Sequence, residues 1–345
     1  MKEVNLLKVA ICVMAVCALA MFNSGCEKEN LNDLKQPTSV KKPRVISDDE
    51  IMKDLPEVKD GRLVFKDSIS FANYYIWLID NQDNIGKVNE INKSLGFVCM
   101  HEIYDKGLDA LCESESMTCS YIEEHARVFH IEKIDSTVFH DMQAPDIVGY
   151  IANEQGLYQV GDKIYRSTYD YCYCIINGDE SKIQTLLNLK DDNTGDALIT
   201  SNPTFFYKNT RGQYAYRTAY FDDKHRAVGR LSTGYVSQTG VTFHEFETDS
   251  QRKSLGIWGG YKLDGAWVSW GNGYFTYEYA NGTLHTETIS SGRVGGTNRQ
   301  KISRTFSSEL YSTIIPSSSN VNTVHTVKYN NDSVKVYYSN AFTGN

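Results

Sequence analysis

The sequence predicts an α+β protein: a mixed helical and strand region first, then an antiparallel β-rich, sandwich-like region. Three observations carry the prediction. Apolar residues between positions 68 and 155 recur at helical spacing, with helix start and stop signals around them. At Gly156 the period changes to two, and glycine-led turns follow. From Phe205 onward Tyr, Thr and Val dominate, alternation continues to the end, and no long helical stripe appears. Helical segments followed by runs of strands suit an α+β architecture.

Taken in order, the chain opens on VAICVMAVCALAMFNSGC, Val9 to Cys26, an apolar run behind Lys2 and Lys8. A membrane-spanning helix needs roughly 20 apolar residues. This run gives way to Asn23, Ser24 and Gly25 directly after Phe22. A basic start, an apolar middle and small residues before a cut mark a cleaved secretory signal. The cysteine directly behind them resembles a lipobox, whose thiol is diacylated after the signal is cut away. Asn23 departs from the aliphatic residue usual at its place. The expectation is a signal peptide over 1–25, a lipidated Cys26 and membrane attachment through its acyl chains. Glu27, Lys28 and Glu29 resemble the surface-export signal of Bacteroidetes-type lipoproteins, which implies the outer face of the outer membrane, and they equally suit a solvated tether. Residues up to 46 are polar, include Pro37 and Pro43 and lack periodicity, as a tether does.

The net charge is −8, and no basic stripe interrupts it, so no nucleic-acid partner is expected. Of the eight cysteines, Cys12 and Cys17 leave with the signal and Cys26 is acylated. Cys99, Cys112, Cys119, Cys172 and Cys174 remain, an odd set, so at least one stays reduced or pairs outside the chain. Cys112 with Cys119 is the candidate disulfide. Cys172 and Cys174 would share one strand face and not pair with each other. Buried reduced thiols are the alternative for the whole set.

The first folded region is expected over 47–195. Ser47 and Glu50 have capping-box spacing ahead of a short helix, Asp48 to Leu55, stopped by Pro56. Arg62 to Lys66 reads as a strand. Ser68 opens a helix with Phe71, Tyr74, Tyr75, Leu78 and Ile79 on one stripe, and a second helix runs from Ile85 to a stop at Gly96. Further helical patterns cover Met100–Cys112, Tyr121–Phe129 and Pro145–Asn153. Leu157–Val160 and Lys163–Arg166 flank Gly161-Asp162 as a hairpin, and Tyr171–Ile176 adds a third strand. Ser181–Leu189 looks helical, and the polar loop Lys190–Asp196 marks the boundary.

Two segments of this region, DGRLVFKD (Asp60–Asp67) and GLYQVGDKIYR (Gly156–Arg166), resemble a domain of unknown function in Bacteroidales lipoproteins. The likeness spans about residues 55–178. It implies an envelope lipoprotein and carries no activity or catalytic residue with it.

The second region, 196–345, is clearest over Gly256–Ile289. With Asp264-Gly265 as a two-residue turn, Lys262 faces Trp267 and Gly259 faces Trp270. With Asn281-Gly282 as the next, Tyr279 faces Leu284, Glu278 faces His285 and Tyr277 faces Thr286. Phe275, Tyr277, Tyr279 and Leu284 then share the core face.

Catalytic patterns are scarce. His101-Glu102 and His244-Glu245 lack the second histidine of a zinc-protease helix, and His125 and His130 miss helical spacing. Asp191–Asp196 fails the calcium-loop pattern, because its glycine comes early and no glutamate closes it. There is no nucleophile elbow and no phosphate-binding glycine loop. Glu278 and Glu287 would lie diagonally across one hairpin face, a candidate carboxylate pair. No metal and no cofactor is expected. The aromatic signal is stronger: Trp258, Trp267 and Trp270 lie close together, and the hairpin register puts Trp258 and Trp267 on one face with Lys262. An indole left on a wet face offers a platform for a sugar ring or a protein partner; core packing is the alternative. The functional expectation is non-enzymatic binding of a glycan or protein at the cell envelope. The alternatives are a hydrolase of extracellular polymer and a structural or adhesive envelope subunit.

Overall fold

The computed structural model describes residues 46–339 apart from 114, 132–134, 141–145, 169–170, 189–204, 210, 237–240, 255, 279–283 and 308–315. The signal segment with Cys26, the tether and the Lys190–Asp196 loop therefore lie outside the described residues. Val45–Asn345 forms one compact unit, and no helix among the described residues is long and apolar enough to cross a membrane.

Helix α1 (Asp48–Lys53) starts on the expected capping box: Glu50 N–H donates to the Ser47 side chain, and Ser47 N–H donates to the Glu50 carboxylate at 3.0 Å. Strands β1 (Glu57–Lys59) and β2 (Arg62–Phe65) form a hairpin around Asp60-Gly61, both left-handed. Helix α2 (Ser68–Asp80) is capped by Asp67 rather than Ser68, its carboxylate accepting from Ser70 N–H at 2.8 Å. It buries Phe71, Tyr74, Tyr75, Trp77 and Leu78. Helices α3 (Ile85–Ser94), α4 (Met100–Glu113) and α5 (Glu115–Glu124) follow. The helical pattern at Tyr121–Phe129 breaks after Glu124. Phe129 instead begins β3 (Phe129–Ile131), which pairs with β4 (Val138–His140), and its ring packs on Tyr104 at 5.5 Å. The Pro145–Asn153 pattern contracts to a 3-10 turn, Asp146–Tyr150.

Strands β5 (Leu157–Val160), β6 (Lys163–Ser167), β7 (Tyr171–Ile175) and β8 (Phe205–Asn209) complete a sheet of order β1-β2-β5-β6-β7-β8, in which only the β2/β5 pair is parallel. A short helix α6 (Ile183–Leu187) closes the segment. Strand β8 comes after the expected boundary at 195/196 and still extends the first region's sheet.

The β-rich part is a sandwich. One sheet holds β9 (Arg211–Tyr220), β10 (His225–Val236), β11 (Val241–Ser254) and β12 (Ile257–Gly260), with a later strand, β17 (Lys301–Ser307), also on β11. The other orders β16 (Gly292–Thr297), β13 (Gly265–Trp270), β19 (Thr323–Tyr329) and β20 (Asp332–Tyr338). Strands β14 (Gly273–Glu278), β15 (Leu284–Ile289) and β18 (Pro316–Asn320) form a third, smaller sheet. Leu231, Phe246, Val268, Phe275, Val321 and Val336 fill the space between them.

Two expected turns change. The Asp264-Gly265 hairpin does not form: β12 pairs with β11, whereas β13 pairs with β16 and β19. The intervening residues carry the chain from one sheet to the other, and the crossing buries Leu263 against Ala227, Ala266 and Val327. The β14/β15 hairpin does form, with its register one step from expectation. Glu278 faces Leu284, Tyr277 faces His285 and Phe275 faces Glu287, because the connection spans residues 279–283 instead of two. A one-residue slip moves every side chain to the other face. Glu278 and Glu287 consequently lie on opposite faces, and the candidate carboxylate pair disappears.

Candidate functional site

Alternation along β10 and β11 gives their sheet two chemically different faces. Leu231, His244, Phe246 and Thr248 point into the sandwich. Arg226, Arg230, Glu245, Glu247, Asp249 and Gln251 point the other way, yet they are buried as well. The helical region covers them: Gln82, in the turn after α2, exchanges hydrogen bonds with the backbone of Thr305, and Lys301 lies 5.7 Å from the Tyr104 ring of α4.

Charges in this seam are closely paired. Arg230 donates to Glu247 and, at 2.6 Å, to Asp249, while Lys301 meets the second Glu247 oxygen at 3.0 Å. Arg226 donates to Gln251 at 2.9 Å, to Asp135 at 2.8 Å and to Thr137. Its guanidinium stacks 4.2 Å from the centre of the Trp258 ring. Burial pushes the Asp135 carboxyl upward, but hydrogen bonds from Thr137 and Arg226 outweigh it and hold the group below its usual range. Arg230 and Lys301 thus neutralise carboxylates of their own sheet, and Arg226 with Asp135 carries the pairing across to the first region. A strand reading HEFETDSQ looks like a solvated face in sequence; only packing reveals the cover.

Trp258 belongs to this seam. It is 5% exposed, lies beneath Arg226, and its backbone N–H donates to the carbonyl of Ser136 at 3.0 Å. It does not share a platform with Trp267, because the two sit in different sheets. Lys262 is exposed in the crossover between those sheets. Trp270 turns inward, near Phe246 and Phe306, and donates to Ser290 O at 2.9 Å.

Trp267 remains on an outer face, and the strands around it define that face. Across from it stand Gly295 on β16 and Thr326 on β19. Arg293, Lys328, Lys335 and Tyr337 occupy neighbouring outward positions by register, all of them exposed. The indole is half-buried because it lies along its own strand. A Cβ on Gly265 would come within 2.7 Å of its benzo ring, so the ring fills the space a Gly265 side chain would take. Gly295, at φ +130°, brings its backbone equally close. The Arg293 guanidinium is 5.2 Å from the ring centre and the Lys328 ammonium 5.6 Å. The result is a half-exposed indole on the outer face with two cationic side chains over its ring.

Among the described residues, Cys99, Cys172 and Cys174 are buried reduced thiols. Burial raises the Cys99 thiol, and burial with the neighbouring Cys172 raises Cys174 to about 12. Cys112 and Cys119 fall on α4 and α5, but their side chains lie outside the described residues, so the candidate disulfide does too. Among the described residues, no group of three or more His, Cys, Asp or Glu side chains is placed to hold a metal ion.

No family model matches the chain, and no curated protein matches it. Among solved structures it is similar to a DUF4848 family protein from Bacteroides thetaiotaomicron VPI-5482. That similarity has 15% identity and a TM-score of 0.29, covering 82% of this chain and 100% of the other. No functional residue is carried over from it.

Proposed function

We propose that this protein is a non-enzymatic binding lipoprotein of the cell envelope, which holds an extracellular glycan on the outer face of the sandwich. The carrying observation is Trp267, half-buried on the outer face and laid against glycine backbone. An indole held in this way stacks on a sugar ring at little conformational cost, since its own orientation is already fixed. The Val9–Cys26 segment supports the compartment, through a signal cut before Cys26 and acylation of its thiol. A glycan array tests the binding: retention should be seen for the natural chain and lost in Trp267→Ala with unchanged circular dichroism. Absence of any retained glycan, or turnover of a polymer by the purified chain, would overturn the reading. Separately, Cys26→Ala should abolish labelling by a fatty-acid probe; persistent labelling would refute the anchor.

A further inference from the structure

We propose that the ligand of the Trp267 face is an acidic polysaccharide, its carboxylate or sulfate groups met by Arg293, Lys328 and Lys335 while one ring stacks on the indole. This deepens the binding reading above and rests on it.

Charge is the first observation. The chain has 43 acidic against 35 basic side chains and a net charge of −8. The protein as a whole therefore leans acidic. The outward positions of β16, β13, β19 and β20 hold Arg293, Lys328 and Lys335 and no Asp or Glu, by the register of the three strand pairs. The alternation of exposure along these strands agrees: the opposite positions, Ala266, Val268, His325, Val327 and Val336, are buried. Like charges on one sheet face repel each other. A polyanion is the ligand that relieves that repulsion.

Geometry is the second. The two cations lie over the Trp267 ring, 5.2 and 5.6 Å from its centre, so a sugar that stacks there displaces them. Their chains are long and exposed, so they can swing from the ring onto an anionic group without disturbing the sheet. Gly295 and Gly265 carry no side chain that would lift the polymer off the surface. Four strands at ~4.8 Å spacing make a face about 14 Å wide, more than one ring can cover.

The same features disfavour other polyanions. A bilayer-docking face drives apolar side chains ~5–10 Å into the headgroup boundary, whereas Trp267 lies down along its strand. Nucleic acid draws its affinity from many phosphate contacts, and three cations on an acidic chain supply few.

The experiment measures binding of the purified chain to polygalacturonate, dextran sulfate and neutral dextran, beside phosphatidylglycerol vesicles and duplex DNA. One or both acidic polymers should bind, weakening at least about tenfold between 50 and 500 mM salt. Arg293→Glu, Lys328→Glu and Lys335→Glu should each weaken binding about tenfold. Trp267→Ala should abolish it, and Lys93→Glu on α3 should change nothing. Because these positions lie on the outer face, thermal melting of the variants serves as the fold control. Salt-independent binding of neutral dextran that requires Trp267 would overturn the acidic ligand and keep the binding reading. No polymer bound at all would overturn both. Binding that ignores the four substitutions would overturn this face as the site, and binding to vesicles or DNA alone would replace the polysaccharide with that partner.

Discussion

Two histidines show how burial decides a residue's chemistry. His244 is fully buried and stacked 3.6 Å from Phe275, and His325 is equally buried, hydrogen-bonded to Thr248 at 2.9 Å and to Thr323 at 3.1 Å. Desolvation lowers both to about 3 from the ordinary 6.5. The native state then refuses protons that the unfolded chain accepts between those values. Stability is therefore complete above pH 6.5 and is lost as the pH falls toward 3. We predict that the urea midpoint drops between pH 7 and pH 4.5, and that His244→Phe with His325→Asn flattens this slope. An unchanged slope in the double variant would contradict the assignment. Neither histidine is distinguished in the sequence from half-buried ones such as His125. Trp258 and Trp267 are likewise chemically equal there. The first became a buried partner of Arg226 and the second a surface platform, a difference that neighbours on other strands decide.

At the scale of the element, sequence signals written within a few residues proved reliable. The capping box at Ser47, the left-handed glycines at Gly96 and Gly161, and the β5/β6 hairpin all arise from contacts between near neighbours. The failures involve choice of partner. Asp264-Gly265 looks like a hairpin turn, yet β13 finds β16 and β19 because burial of Leu263 pulls the chain across to the second sheet. Gly295 then becomes an element-level constraint. A Cβ there would stand 2.6 Å from the Trp267 Cα and still closer to the Ala266 carbonyl oxygen, at a φ of +130° that side chains rarely adopt. Gly295→Ala should cost about 1–3 kcal/mol, read from denaturant unfolding, and shift the fluorescence of Trp267. A substitution without effect on either would show that the β13/β16 pair is looser than described.

At the scale of the whole molecule, helices and sandwich meet across a buried polar seam. Arg226, Arg230, Lys301 and the carboxylates opposite them form a seam, and Phe243 of β11 packs in the core of the helical region. Arg226 is fully buried with Asp135, Gln251 and Thr137 as acceptors, so Arg226→Met should destabilise the protein by about 3–5 kcal/mol. Arg226→Lys should not rescue it, because an ammonium lacks the planar fork. With the seam intact, far-ultraviolet and tryptophan signals should lose structure in one coincident transition; separate midpoints would mean that the halves unfold independently. By itself, the sequence determined the α+β class, most local elements, and the signal-and-tether pattern behind the lipoprotein expectation. Those rest on periodicity and on contacts between residues close in the chain. The tertiary structure alone decided which charges are buried, which sheet each strand joins, and which tryptophan faces outward. These depend on pairing between strands as distant as β13 and β19, and side chains that look alike in sequence acquire different surroundings only when that pairing is made.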